Sequence, residues 1–330
     1  MPGQIDRRVA VTDSAELLNP GIELLRERGV EVEVVAAGAT STEAARVAGG
    51  HPVAIVGLLS FQAAEIAVLR RTGLLVRAGI GYDVIDVEAA TTAGIWVANV
   101  PDYCVDEVAD HAILLLMAAW RRLRELEAVW RAGSWVNAAL VPPVNRARGR
   151  RLGIVGFGRI GRAAAQRAHG FGFEVVAHDP YVADEILRGA GVEPIGLDDL
   201  FATSDAVSLH CPLTSETQSL VNAGRLSRSR AGLVLVNTSR GGVVDLTALD
   251  EALDRGQVAA AGLDVLEDEP TPDLSRDLYR RPNVVLTPHL AWYSIEARRD
   301  LALRAAEEAY RYLSGERPRN LVNPAARSAP

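Results

Sequence analysis

The sequence is short of several things, and each shortage excludes a class of protein. There are two cysteines in 330 residues, Cys104 and Cys211, and neither sits in a C-x-x-C. Two isolated thiols make no disulfide framework, so a reducing, cytoplasmic setting is expected. There is no excess of positive charge. The formal net charge is −7, whereas a phosphate backbone wants a basic face. The one short basic run, Arg146, Arg148, Arg150 and Arg151, reads as a solvated linker, and no direct nucleic-acid partner is expected. No apolar run is long. The longest, 112–120, falls far below the roughly 20 residues of a membrane span, and the polar stretch 1–8 has no secretory h-region. H-E-x-x-H and Cys/His ligand spacings are missing, so no metal site is expected. Phenylalanine is scarce, at five, beside 29 glycines, a balance that suits an α/β protein with many short turns.

What is present is a βαβ rhythm in two parts. A chain of 330 residues exceeds what one hydrophobic core usually serves, so two domains are expected. Strand-like segments at 9–12, 30–35, 53–56 and 74–77 alternate with helical patterns. One such helix starts at a cap on Asp13 or Ser14 and stops at Gly29, and another covers 63–71. Residues 104–131 read as one long helix closed at Gly133. Its core, Ile113 to Met117, is too apolar for a surface and predicts burial between domains or subunits. An irregular excursion, 133–150, leads to a second series of strands at 152–155, 174–177, 206–210, 233–237, 260–264 and 284–286. The last helix spans 295–313. The pattern predicts the α/β class with two open parallel-sheet, Rossmann-like domains and a cleft between them.

Gly156, Gly158 and Gly161 form a G-x-G-x-x-G between a strand and a helix, the context that gives this motif meaning. The glycines permit a tight turn, backbone approach to a pyrophosphate and close helix packing, and Arg159 and Ile160 open the helix whose N–H groups face the anion. Asp179 follows at the end of the next strand, 18 residues after Gly161. A carboxylate there can accept from ribose hydroxyls and repel a 2′-phosphate, which selects NAD over NADP. The plainer alternative, a turn residue before Pro180, leaves the spacing unexplained.

Three polar residues, Arg240, Glu269 and His289, follow later strands and can converge at their carboxyl ends. Reducing a 2-oxo acid needs this set. A histidine can give and take the proton at the carbonyl oxygen. A carboxylate behind it fixes its tautomer, and an arginine fork binds a carboxylate or polarises the carbonyl. His51, His111, His169 and His178 lack such a context and read as structural.

At these residues the chain resembles the D-isomer-specific 2-hydroxyacid dehydrogenases. The resemblance rests on 156–161, 238–242, 262–270 and 287–289, and by recognisable segments it runs from about Leu74 to Asn323. It implies that Arg240 binds substrate, that Glu269 partners His289 and that His289 is the acid/base. It places Asp264 near the nicotinamide and counts Thr238 and Ser239 among the cofactor-binding residues. The backbone of His210, Cys211 and Pro212, with Thr217, falls beside the cofactor. The substrate carboxylate falls to a loop of backbone N–H groups at Arg77, Ala78, Gly79 and Ile80. Cys104 is packing at the start of a helix. The domains implied are 1–100 plus 291–330 for substrate and 101–290 for NAD. Within the family, the wording near 97–101 and 289–293, with Arg77 and Trp292, most resembles the C-terminal-binding protein and phosphoglycerate dehydrogenase branch. The function implied is an NAD-dependent D-2-hydroxyacid dehydrogenase. The alternative is an NAD(H)-sensing dimeric scaffold related to the C-terminal-binding proteins, which are transcriptional corepressors. A homodimer is expected, with helix 104–120 near its interface, and no membrane partner.

Overall fold

The computed structural model describes the chain except residues 1–5, 136, 137, 268, 270–272, 274 and 327–330. Asp268 and Pro270 of the 262–270 motif therefore lie outside the described residues. The chain divides into two compact units, 1–103 with 293–330, and 104–292.

The first unit holds one parallel sheet of five strands: β1 (Arg8–Val11), β2 (Glu31–Val34), β3 (Val53–Val56), β4 (Leu74–Arg77) and β5 (Trp96–Ala98). Their order is β2-β1-β3-β4-β5. Strand β3 is a continuous, fully buried apolar run, and β4 is one up to Arg77, as strands inside a parallel sheet are. Strand β2 alternates Glu and Val because it is an edge strand, and it is mostly exposed. The helices Ala15–Glu27 and Ile295–Leu313 pack on each other, and their apolar sides close one core with β1, β3 and β4. The expected helix over 63–71 is a single turn, Ala63–Ile66. Asp13 does not cap the first helix. Its carboxylate accepts instead from the N–H groups of Gly57, Leu58 and Leu59 after β3.

The second unit holds seven parallel strands: β6 (Arg151–Val155), β7 (Glu174–His178), β8 (Glu193–Pro194), β9 (Ala206–Leu209), β10 (Leu233–Asn237), β11 (Val258–Leu263) and β12 (Val284–Leu286). Their order, β12-β11-β10-β9-β6-β7-β8, runs outward from β6 in both directions. The chain reverses its direction of travel between β6 and β9, and open sheets bind ligands at such a switch point.

The long helix expected over 104–131 is two helices, Val105–Trp120 and Leu123–Arg131, broken at Arg122, whose φ is +57°. The apolar face of the first is covered within its own unit by the helix Arg159–Gly170 and by β10, β11 and β12. The reason given for placing it between domains or subunits therefore does not hold. The second helix buries none of its residues and exposes Leu123, Leu126 and Trp130. Among the described residues no helix is long and apolar enough to cross a membrane.

Candidate active site

The turn after β6 is built for close approaches. Gly156 has φ +91°, and a Cβ on it would lie 2.7 Å from the Cys211 nitrogen. The ends of β6 and β9 therefore meet at this glycine. A Cβ on Gly161 would lie 2.1 Å from the Gly156 carbonyl oxygen, so the helix Arg159–Gly170 can start directly on the turn. Gly158 caps that helix and has open space where a Cβ would stand. Arg159 is exposed beside it. The open backbone and the free first N–H groups of a 12-residue helix suit a pyrophosphate.

Asp179 follows β7, and its carboxylate turns back to the same loop. Oδ2 accepts from Phe157 N at 2.7 Å and Oδ1 from Tyr181 N at 2.9 Å. Each oxygen retains acceptor capacity for a ribose hydroxyl. His210 and Cys211 close the other side of the turn. The His210 ring bonds to Ser208 Oγ at 2.9 Å, and desolvation pushes its pKa down to about 4. Burial pushes the Cys211 thiol up to about 11. A neutral imidazole and a protonated thiol are not a nucleophile pair, and what these residues offer a ligand is their backbone. Thr217 Oγ1 donates to Pro212 O at 2.6 Å and receives Thr214 N at 2.8 Å, which closes that loop.

The three candidate catalytic residues all belong to the second unit. Beyond β10, buried Asn237 organises the turn that carries Arg240. Its Oδ1 accepts from Ser239 N and Oγ, and its Nδ2 donates to the Arg240 carbonyl at 2.9 Å. The sequence reading passed over Asn237 as the last residue of an apolar strand. The buried Thr238 hydroxyl in the same turn has no partner among the described residues, which suits a polar ligand placed there. Arg240 reaches the Ser239 carbonyl at 2.8 Å.

At Gly241 the turn presses on the segment that carries Glu269. A Cβ on Gly241 would lie 2.0 Å from the Leu266 carbonyl carbon and 2.4 Å from Glu267 N. Only hydrogen fits between the two segments. Glu269 Oε1 accepts from Leu266 N at 2.6 Å, and Oε2 lies 2.5 Å from His289 Nδ1. Burial opposes the Glu269 charge. The hydrogen bond and charge of His289, the Leu266 N–H and the Arg240 charge outweigh it, and the carboxyl is held below its ordinary value of 4.5.

His289 adopts φ +55°, a left-handed conformation that costs a non-glycine residue about 1–2 kcal/mol. Such strain persists where the surroundings over-determine it, and here they do. The Asp264 carbonyl accepts from His289 N at 2.8 Å. The Asp264 carboxylate, 2% exposed as a residue, accepts from Thr287 Oγ1 at 2.6 Å, Leu290 N at 3.0 Å and Ala291 N at 2.9 Å. Asp264, which the resemblance places near the nicotinamide, holds the His289 loop through its carboxylate. Trp292 ends that loop, half-buried.

The candidate substrate loop lies in the first unit, after β4. Not all of its N–H groups are available. Ala78 N donates to Val56 O at 2.8 Å and Gly79 N to Arg77 O at 2.9 Å. Ile80 N and Gly81 N donate to no acceptor among the described residues. The Arg77 guanidinium folds over Gly79 and donates to the Ala78 carbonyl.

Comparison with known proteins agrees with this geometry. Residues 113–291 match the family described as D-isomer specific 2-hydroxyacid dehydrogenase, NAD binding domain. The chain is 45% identical over 246 residues to a glyoxylate reductase of Korarchaeum cryptofilum, covering 74% of each chain. Among solved structures, a glyoxylate reductase of Paecilomyes thermophila superposes with a TM-score of 0.88 at 28% identity, covering 98% of this chain and 99% of that one. D-Lactate dehydrogenase of Aquifex aeolicus, solved with NAD and lactic acid, gives 0.85 at 26% identity, covering 96% and 98%. These reductase and dehydrogenase relatives lend no support to the corepressor-like scaffold. The two parallel sheets, the glycine turn fitted to a dinucleotide and the match over 113–291 have one conclusion: the chain belongs to the D-isomer specific 2-hydroxyacid dehydrogenase family, and its cofactor is NAD.

Proposed function

We propose that the protein transfers hydride reversibly between NAD(H) and C2 of a small 2-hydroxy or 2-oxo acid, with His289 as acid/base, Glu269 as its partner and Arg240 as the substrate-binding cation. The observation that carries this reading is the 2.5 Å contact between His289 Nδ1 and Glu269 Oε2. With Nδ1 turned to the carboxylate, Nε2 is the nitrogen left to hold or release a proton at the substrate oxygen. The ionised Glu269 fixes the ring's orientation, and a reductive step takes the Nε2 proton to the substrate oxygen. Arg240 supplies positive charge close enough to act on Glu269, and its fork suits a carboxylate or a polarised carbonyl.

NAD would be held by Gly156, Gly158, Arg159, Ile160 and Gly161 at its pyrophosphate and by Asp179 at its ribose. His210 to Pro212 and Thr217 would flank the adenosine side, and Thr238 and Ser239 the nicotinamide side. Bound there, it supplies or takes up the hydride at C2. Substrate recognition is assigned to the loop Arg77, Ala78, Gly79 and Ile80, with Trp292. This assignment follows the family resemblance and is supported by the N–H groups of Ile80 and Gly81. The domains are accordingly assigned as substrate-binding for the first unit and NAD-binding for the second.

The test is NADH oxidation with glyoxylate, pyruvate and other small 2-oxo acids, on wild type and His289→Ala. General acid catalysis is typically worth about 10²–10⁴-fold. His289→Ala should lose that much rate while still binding NADH. A variant within a few-fold of wild type, with chemistry shown to be rate-limiting, would sink the mechanism.

We further propose a homodimer in a reducing, cytoplasmic setting. Both cysteines are buried, and neither is in a disulfide among the described residues. Leu123, Leu126, Trp130 and Trp135 are exposed within 13 residues, an apolar surface that a monomer would leave in water. Sedimentation showing a monomer at micromolar concentration would count decisively against the dimer.

A further inference from the structure

His111 has no place in the mechanism above, yet it touches the group that holds the His289 loop. Its Nε2 lies 2.9 Å from Thr287 Oγ1 and 3.7 Å from Asp264 Oδ1. We infer that His111 is a positioning residue for the catalytic histidine, acting through Thr287 and Asp264 on the strained loop 287–291.

The direction of the hydrogen bonds follows from their chemistry. An ionised Asp264 carboxylate can only accept, so the single hydroxyl proton of Thr287 is committed to Oδ1 at 2.6 Å. The Thr287 oxygen must then accept from His111, which carries its proton on Nε2. The chain of donors runs one way, from the helix ring to the hydroxyl to the carboxylate. The same carboxylate accepts Leu290 N and Ala291 N, and the Asp264 carbonyl accepts His289 N. Two of the loop's five backbone residues thus hang on the carboxylate that His111 braces, and a third on the carbonyl of the same residue.

The brace is fixed by two matching repeats. His111 and Leu115 are one turn apart on the helix Val105–Trp120, a rise of about 6 Å at 1.5 Å per residue. Gly262 and Asp264 are two residues apart along β11 and its extension, about 6.6 Å at 3.3 Å per residue. Leu115 packs where a side chain on Gly262 would be: a Cβ there would lie 2.8 Å from Leu115 Cβ. With that contact setting the depth of the helix against the strand, His111 falls level with Asp264. Asp110 and Asp106, on the same helix, are ion-paired to Arg167 at the surface. From the loop, His289 turns to Glu269.

The inference rests on the proposed function, because its main readout is turnover. The experiment compares wild type with His111→Leu, His111→Gln, Thr287→Val and Thr287→Ser, using NADH and the best 2-oxo acid of the panel. A reacting group misplaced by about 1 Å can cost about 100-fold in rate. His111→Leu and Thr287→Val should therefore lower kcat about 10- to 100-fold, with the Kd for NADH within about threefold of wild type. His111→Gln and Thr287→Ser keep a donor and a hydroxyl, and should recover most of the rate. The double variant His111→Leu/Thr287→Val should be no worse than either single one, since both break one chain. Amide hydrogen exchange at Leu290 and Ala291 should rise in His111→Leu. This second readout does not need activity, so an inactive wild type would overturn the function while leaving the brace open to test. Unchanged kcat and unchanged exchange in His111→Leu would overturn the inference. So would additive losses in the double variant, or His111→Gln falling as low as His111→Leu.

Discussion

Replacing Gly241 by alanine isolates one contact on which the active-site geometry depends. The added Cβ would stand 2.0 Å from the Leu266 carbonyl carbon and 2.1 Å from its oxygen. Both are backbone atoms, so neither can swing aside as a side-chain end would. Relief to an ordinary contact near 3.4 Å needs the two segments to part by about 1.4 Å. Arg240 precedes one side of that contact and Glu269 follows the other, so their separation grows with it. A displacement of about 1 Å at reacting groups is worth about 100-fold in rate, and Gly241→Ala should lose at least that in kcat. Overpacking costs about 1–3 kcal/mol. At about 2–4 °C per kcal/mol for a unit of this size, the melting point should fall by about 2–12 °C. Gly242→Ala is the control. Its Cβ would meet the Gln218 amide oxygen and the Leu213 methyl carbons at 3.2 to 3.3 Å, all ends of movable side chains. It should stay close to wild type in both readings. The assay is NADH oxidation with a saturating 2-oxo acid, beside thermal melting. If Gly241→Ala matches Gly242→Ala in rate and melting point, the contact does not set the site and the reasoning fails.

Other expectations follow from the carboxylates. Glu269 is held below its ordinary value, so its charged form stabilises the fold at neutral pH. That contribution is complete above about 4.5 and is lost as the pH falls through the lowered value. The stability gap between wild type and Glu269→Gln, measured by urea melts, should therefore be constant from pH 7 to about 5 and narrow below that; a gap that widens in acid would contradict the assignment. In turnover Glu269→Gln should do less damage than His289→Ala, since Glu269 orients the ring and does not itself transfer the proton; equal losses in kcat would contradict that division of roles. Asp179→Ser should weaken NAD and improve NADP, and full retention of NAD preference in competition assays would remove Asp179 from cofactor selection. Arg240→Lys should mainly raise KM, and a fall in kcat as well would show that the fork acts on the carbonyl.

Much of this was legible from the residues in order. Five of the seven strands of the second sheet are short, mostly apolar runs of four to six residues, and their lengths with the intervening glycines and helices announce a parallel α/β layer. The glycine turn and Asp179 could be placed because strand, spacing and acid occur together in a short segment. Other features left no local mark. Strand β5 has three residues, and β8 ends on Pro194 at a sheet edge, where the missing N–H does no harm. The break at Arg122 interrupts no hydrophobic pattern, since Leu123 and Leu126 continue it. The turn is favoured by bonds made elsewhere, from Arg122 to the Ala259 carbonyl and from Arg124 to the Arg281 carbonyl.

The sequence by itself determined the α/β class, the glycine turn, the acid after β7 and the identity of Arg240, Glu269 and His289, because each is a local pattern or a motif read in order. Tertiary structure alone decided which neighbours those residues have. Asp264 turned to the His289 loop because its buried carboxylate needed the N–H and O–H donors found there. Asn237 became the bracket of the Arg240 turn for the same reason. His111, read as structural from its place in an apolar helix, came level with Asp264 only because Gly262 lets Leu115 approach the strand. A polar group buried among apolar residues must find its hydrogen bonds; Asp264 and His111 meet on Thr287, which lies 23 and 176 residues from them, a pairing set by packing that leaves no trace in local order.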